Sequence, residues 1–479
     1  MTVAPVTLPV APAVPRTRTL ALGFIAPFLG WIIAQDWIGG LAALLLWAIW
    51  YFLPPIEGPP VHSLALTFQW LQVCLGVYYW GVFQRPLETV TQSDYRVMVL
   101  LGLGCVAALW LALVLSLGAE RRQARYELTR PAVAVRLQTL LSAYLVLVGA
   151  MGFIHAVAWR LPLLTQGILA LSFLRLVCLY LLFRRLSAGR IEWGKLGPLL
   201  AFEMLLGFTG FFAGFREPLM LFALALFERF DARRLRHWAA VGVAGVAAFL
   251  AGLLWMSIRT PYRSDFQIDS FAASRSERIE KIGDLSREWL GSNREELLID
   301  LDSLVDRLWA VYYPALAVAR VPEVLPHENG RILWGAVRHI LMPRLFFPNK
   351  PSLPSDSEMV RKYSGKWVAG EEQGTSIAFG YAAESYVDFG VPLMFLPVFL
   401  WGLVLGRIYA KLRHLILHRE LAVGLTTVVV WMSLYIFERS WIKNLGFSLT
   451  LVIYLGGAVF LIDRFLFAER RRLRGARIG

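Results

Sequence analysis

Apolar blocks of roughly 17–25 residues recur along this chain, the length a helix needs to cross a ~30 Å hydrocarbon core. They lie near 19–35, 38–53, 62–83, 97–118, 137–158, 161–183, 196–213, 217–230, 237–258, 390–406, 421–437 and 445–467. The pattern predicts an all-α polytopic membrane protein with about twelve transmembrane helices. The blocks 19–35, 38–53, 196–213 and 217–230 are short enough to be tilted or re-entrant. One long hydrophilic stretch, from about Arg259 to Thr375, interrupts the series. The chain therefore divides into a tail (1–18), an N-terminal bundle (19–258), a large loop with amphipathic helices (259–389), C-terminal helices (390–467) and a basic tail (468–479).

The loop has its own periodicity. Ile279, Ile282, Leu285 and Trp289, then Leu297, Leu298, Leu301, Leu304, Val305 and Leu308, recur at steps of three and four, with charged residues on the other face. This spacing predicts two amphipathic helices. Gly291-Ser292-Asn293 breaks the run, and Ser292 or Asn293 can cap the second helix. A further short helix is expected from Arg331 to Leu341. Pro343, Pro348 and Pro351 exclude regular helix from the segment they span and predict a rigid, extended path. That path would present Arg344 and Lys350, both suited to phosphate. The loop ends in a stretch, Ser376 to Gly390, in which Tyr381, Glu384 and Asp388 would share one helical face next to the following span. Two carboxylates at a membrane boundary, partly desolvated, are candidates for general-base work.

Charge fixes the expected orientation. With the N-terminus in the cytoplasm, the inside loops hold Arg121, Arg122, Arg125, Arg130, Arg184, Arg185, Arg190, Arg233, Arg234, Arg236, Lys411, Arg413 and Arg419. The short outside loops hold only Arg85, Arg96, Arg160, Arg216, Arg439 and Lys443. Counting tails, the bias is about 25 to about 6, which places both termini inside and the large loop outside. The chain is 57% hydrophobic with a net charge of +14. Its mean hydropathy is +0.56. The positive charge is a topology signal and a contact with membrane lipids, so no nucleic-acid partner is implied. Cys74, Cys105 and Cys178 all lie in predicted spans, without zinc-type spacing, and read as apolar packing.

Ionisable side chains at membrane depth are costly and mark candidate sites. Arg175 and Glu203 sit within spans and can pair between helices. Arg216 stands in the tight Gly214–Glu217 hairpin, and Arg439 follows Glu438 at the end of another span on the same expected side. A cationic cluster of Arg216, Arg439, Arg344 and Lys350 over a helix bundle suits a diphosphate whose lipid tail lies in the bilayer. The competing reading for Arg216 and Arg439 is snorkelling to headgroups. Asp36-Trp37 in the first outer turn reads as interfacial anchoring by the indole. There is no P-loop, dinucleotide-binding fingerprint, zinc-protease motif or nucleophile elbow in a suitable context.

Three groups of residues resemble those of the Wzy-type O-antigen polymerases, also called oligosaccharide repeat-unit polymerases. They are Gly214 and Arg216 in the hairpin, Pro343-Arg344 to Pro348-Asn349-Lys350-Pro351 in the loop, and Gly380, Glu384, Tyr386, Phe389 and Gly390 leading into a span. The resemblance covers residues 200–410 in detail. It implies a GT-C-like architecture in a bacterial inner membrane and inverting transfer of an undecaprenyl-diphosphate-linked glycan onto a lipid-linked acceptor at the periplasmic face. It implies no metal and no cofactor, and a chain-length regulator as a further partner. Arginines would neutralise the leaving diphosphate, and Glu384, with Asp388 beside it, would supply the base. No histidine of the loop stands in a recognisable motif. An O-antigen ligase shares the donor and is the nearest alternative; a glycan or lipid transporter or a secretion subunit is the alternative of another class.

Overall fold

The computed structural model describes residues 16–84, 95–127, 135–161, 164–188, 191–209, 216–231, 233–266, 275–343, 346–347 and 349–467. Among these the chain is helical, with no strand. The first helices are α1 (Arg16–Ala34), α2 (Trp37–Phe52), α3 (Val61–Val82), α4 (Tyr95–Glu127), α5 (Leu137–Arg160), α6 (Thr165–Ser172) and α7 (Leu174–Leu186). Next come α8 (Trp193–Thr209), α9 (Arg216–Phe227) and α10 (Leu235–Phe266). The loop contributes α11 (Arg275–Leu290), α12 (Arg294–Leu308), α13 (Tyr312–Arg320), α14 (Arg331–Leu341), α15 (Asp356–Ser364) and α16 (Gly380–Phe389). The chain continues through α17 (Phe395–Leu415), α18 (Arg419–Leu434), α19 (Trp441–Thr450) and α20 (Gly456–Ile462).

Among the described residues, six helical segments are long and apolar enough to cross a membrane: Tyr95–Arg122, Leu137–Arg160, Thr165–Leu186, Leu235–Ile258, Phe395–Leu415 and Trp441–Phe465. Of the other expected spans, 62–83 forms the 22-residue helix α3, and 19–35 and 38–53 form shorter apolar helices. Helix α18 is the axis of the bundle, with every residue from Glu420 to Leu434 buried. Helices α17 and α4 lie close because Gly402 and Gly406, four apart, face Ala112 and Ser116; a Cβ at Gly402 would stand 2.7 Å from that of Ala112. Small residues at this spacing let helix backbones approach without a water-driven force.

Polar contacts sort the connections between helices into two faces. On one face, Arg96 pairs with Asp36 at 3.1 Å, Tyr79 bonds Asp302, and Arg307 reaches Glu438 at 3.5 Å. Helices α11 to α16 belong to this face, termed the loop face here. On the opposite face, Arg413 pairs with Glu57 and Glu120, Arg419 with Glu57, and Arg184 with Glu228.

Several local expectations hold. Gly291 separates α11 from α12, and the Asn293 side chain caps α12 in a reciprocal box with Glu296. Helix α14 forms where expected. Asp36 caps α2 through the Ile38 amide, and Trp37 is exposed. The three cysteines are buried and free.

Two expectations change. The proline segment turns rather than extends: the Phe346 and Phe347 amides both donate to the Pro343 carbonyl, and Lys350 N–H donates to Phe347. Arg344 and Gly214 lie outside the described residues. Helix α16 is not a half-exposed interfacial helix, because eight of its residues, Gly380, Tyr381, Ala382, Ala383, Glu384, Ser385, Val387 and Asp388, are buried. One side packs on a small core with Tyr363, Val360 and Phe379, and the other on the bundle through Tyr381 and Ala382.

Candidate functional site

The turn between α18 and α19 carries Arg439, and distant elements hold it from both sides. Gln69 and Gln72 of α3 donate to the carbonyls of Leu434 and Tyr435, and the Gln72 amide oxygen accepts the Phe437 N–H. From the loop, Tyr381 N–H donates to the Arg439 carbonyl at 2.8 Å. The Trp441 N–H donates to Glu384 at 2.7 Å, and its indole N–H to Ser385. Gly380 makes this approach possible: a Cβ there would stand 2.7 Å from the Phe437 carbonyl, and its φ of 89° favours glycine. The backbone of residues 434–441 is thus fixed by side chains up to several hundred positions away in sequence.

This turn brings Arg216 and Arg439 together, as the sequence reading expected. Their guanidinium carbons lie 5.4 Å and 5.9 Å from the centre of the same Tyr435 ring. Arg439 also stands 5.1 Å from the Phe447 ring, and its Nη1 donates to the Met432 carbonyl at 2.6 Å. Aromatic faces stabilise a guanidinium without neutralising it. Arg216, half-exposed, pairs with Glu217 at 3.2 Å. Among the described residues, Arg439 has no carboxylate partner. Burial presses its pKa down, the Tyr435 hydroxyl raises it, and the charge of Arg216 lowers it further; as an arginine it keeps its proton.

A cavity of about 190 Å³ opens beside this pair, lined by Met151, Ser172, Phe173, Arg175, Leu176, Glu217 and Met432. Phe173 meets Phe447 edge-on, so one wall of the cavity is continuous with the aromatic support of Arg439. Arg175 enters from α7. One of its nitrogens donates to both oxygens of the buried Glu203, at 2.6 and 2.7 Å, and Tyr144 donates to the same carboxylate. The pairing of Arg175 with Glu203 was legible as two opposite charges at membrane depth. The position of Arg175 on the wall of the arginine site was not, since nothing in the local sequence of α7 points to α18.

The other expected residues are placed differently. Lys350 donates to the His339 carbonyl at 2.8 Å and ties the proline segment to the end of α14; no contact joins it to Arg216 or Arg439. Asp388 is fully buried, and its two oxygens accept the Ile332 and Leu333 amides at 3.0 and 2.8 Å. It satisfies the free N–H groups at the start of α14, which a helix start always leaves. Burial raises its pKa, and those amides offset the rise in part. Glu384 is 4% exposed. Burial pushes its pKa up to about 8, against the bond from Trp441, which lowers it, and the neighbouring charges of Asp356 and Asp388, which raise it.

Fold and site together define an all-helical protein with membrane-length helices and a cationic, aromatic-backed cleft on its loop face. The chain belongs to the family described as Domain of unknown function (DUF8712), whose model matches residues 126–437, well over half of the chain. The match includes Arg175, Arg216 and Tyr435 and ends two residues before Arg439. No curated protein and no solved structure matches.

Proposed function

We propose that this chain is a polymerase of undecaprenyl-diphosphate-linked oligosaccharide repeat units, acting on the loop face; the Lys and Arg bias puts that face outside the cytoplasm, and the resemblance to Wzy-type polymerases implies that it is the periplasmic side of a bacterial inner membrane. The observation that carries the reading is Arg439, a part-buried guanidinium that has no carboxylate partner among the described residues and shares a ring with Arg216. Glu217 balances Arg216, but Arg439 has no carboxylate of its own among the described residues, so an anion reaching both guanidinium groups would be held favourably. A diphosphate supplies that anion, and two planar forks suit its oxygens.

In this reading the acceptor hydroxyl oxygen bonds to the anomeric carbon as the bond from that carbon to the diphosphate breaks. The diphosphate leaves with the electron pair and is held by Arg216 and Arg439. Arg175 lines the cavity wall, its charge balanced by Glu203. Glu217, the carboxylate on the same wall, takes the acceptor proton. Glu384 is read as a positioning residue: its oxygen fixes the first amide of α19 and so the turn that presents Arg439. Asp388 likewise holds α14.

The test is reconstitution with a purified lipid-linked repeat unit, reading products of increasing repeat number. The wild type should give a ladder, and Arg439→Ala and Arg216→Ala should lower its rate by roughly 10- to 100-fold, the loss of one charge-assisted contact of about 1.5–3 kcal/mol. A folded wild-type protein that gives no elongated product overturns the polymerase reading. Transfer onto lipid A core alone would make it a ligase.

A further inference from the structure

We propose that α14 and the turn after it form a lipid-binding paddle, in which Arg331, Trp334, Arg338 and Leu341, with Phe346 and Phe347, enter the headgroup layer of the loop-side leaflet and bind anionic phospholipid. The four helix residues are spaced so that they share one face. Trp334 is 66% exposed, Leu341 67% and Phe346 73%. The other side of α14 is committed to the protein: Ala336 is buried, Leu333 packs on the bundle core and Ile332 on the small loop core.

Depth decides what covers the exposed face. A Cβ on Gly446 would stand 3.5 Å from the Ile340 side chain, so α14 lies directly against α19. Gly446 is five residues into the membrane-length segment Trp441–Phe465. At 1.5 Å per residue that is roughly 7–8 Å below its start, about the depth to which an interfacial helix buries its apolar face. Further along the same segment, Ile453, Tyr454 and Leu461 are exposed, as a lipid-facing surface would be. Arginine and tryptophan alternating at this level match the chemistry of phosphate headgroups above acyl chains.

The paddle is also fixed in place before it meets lipid. Asp388 holds the first amides of α14, and Lys350 holds the carbonyl of His339 near its end while closing the turn that carries Phe346 and Phe347. Little ordering cost is left for binding. The proposal needs Trp441–Phe465 to span the bilayer and does not need the glycosyl-transfer reading.

The full chain in lipid nanodiscs tests it. The native cysteines are buried, so Phe346→Cys can carry an environment-sensitive fluorophore, with Glu371→Cys as the control on the exposed short turn at residues 371–373. The label at 346 should be blue-shifted and quenched by nitroxide-labelled lipid, and protected from aqueous iodide; the label at 371 should show the reverse. Combining Phe346→Cys with Arg331→Glu and Arg338→Glu should weaken lipid quenching in phosphatidylglycerol discs and leave it unchanged in neutral phosphatidylcholine discs. Quenching at 346 by iodide but not by lipid overturns the paddle. Protection from both quenchers overturns it too, since a protein surface then covers the face. Equal effects of the charge reversals in the two kinds of disc overturn the anionic preference.

Discussion

The two faces of the bundle treat buried and part-buried arginine in opposite ways. Opposite the loop, Arg184 meets Glu228 through several bonds and approaches Glu420 at 3.9 Å, and Arg413 lies between Glu57 and Glu120. Each of these cations is neutralised by carboxylates from other helices or from the turns beside them. On the loop face, Arg439 has aromatic rings, one carbonyl and another arginine for company. A neutralised buried ion pair fixes how helices meet, and removing one partner leaves the other charge stranded. A part-buried cation with no carboxylate partner among the described residues is poised for an anion from outside the chain.

The sharpest way to break this contrast is on the neutralised side. Arg184→Met leaves Glu228 partly buried without its partner and should cost about 3–5 kcal/mol, enough to deplete folded protein in detergent. Thermal unfolding reads this directly, and a variant as stable as the wild type would mean that the network is incidental.

Next in size is the pH response of the carboxylate behind the arginine turn. The Glu384 pKa, raised from 4.5 to about 8, favours the protonated form in the folded state. Its contribution is then fully present below pH ~4.5, is lost progressively as pH rises to about 8, and stays lost above. The swing is on the order of 3–5 kcal/mol. Glu384→Gln should flatten the fall in melting temperature between these limits, while keeping an oxygen for the Trp441 amide and most of the activity. Loss of turnover with unchanged melting would restore Glu384 as the base.

On the unneutralised side the effects separate differently. Arg439→Met should hold or raise thermal stability, because a desolvated charge disappears, while glycan elongation falls by roughly 10- to 100-fold. A drop in stability like that of Arg184→Met would erase the distinction between the faces. Smallest is Asp388→Asn, which weakens one of two amide bonds at the start of α14 and should cost about 1 kcal/mol. Faster hydrogen exchange at the Ile332 and Leu333 amides, with elongation nearly intact, is the expected signature.

Much of this architecture is local and could be read along the chain. Apolar blocks of membrane length, the break at Gly291 with its Asn293 cap, the helix at Arg331–Leu341 and the placement of Arg216 and Arg439 at neighbouring turns follow from hydrophobic period, capping chemistry and charge within a few residues. The fates of individual charges did not follow. Glu384 and Asp388 read as a catalytic pair one helical turn apart, yet each takes up backbone amides of an element some 55–57 residues away. Arg175 read as half of an ion pair, yet it also lines the cleft. Lys350 read as a phosphate ligand, yet it closes a turn. A helix forms from interactions within its own turns, so its sequence suffices to show it. Whether a charged side chain is spent on a neighbour or left for a ligand depends on which distant groups the packing brings within about 3 Å, and only the tertiary structure decides that.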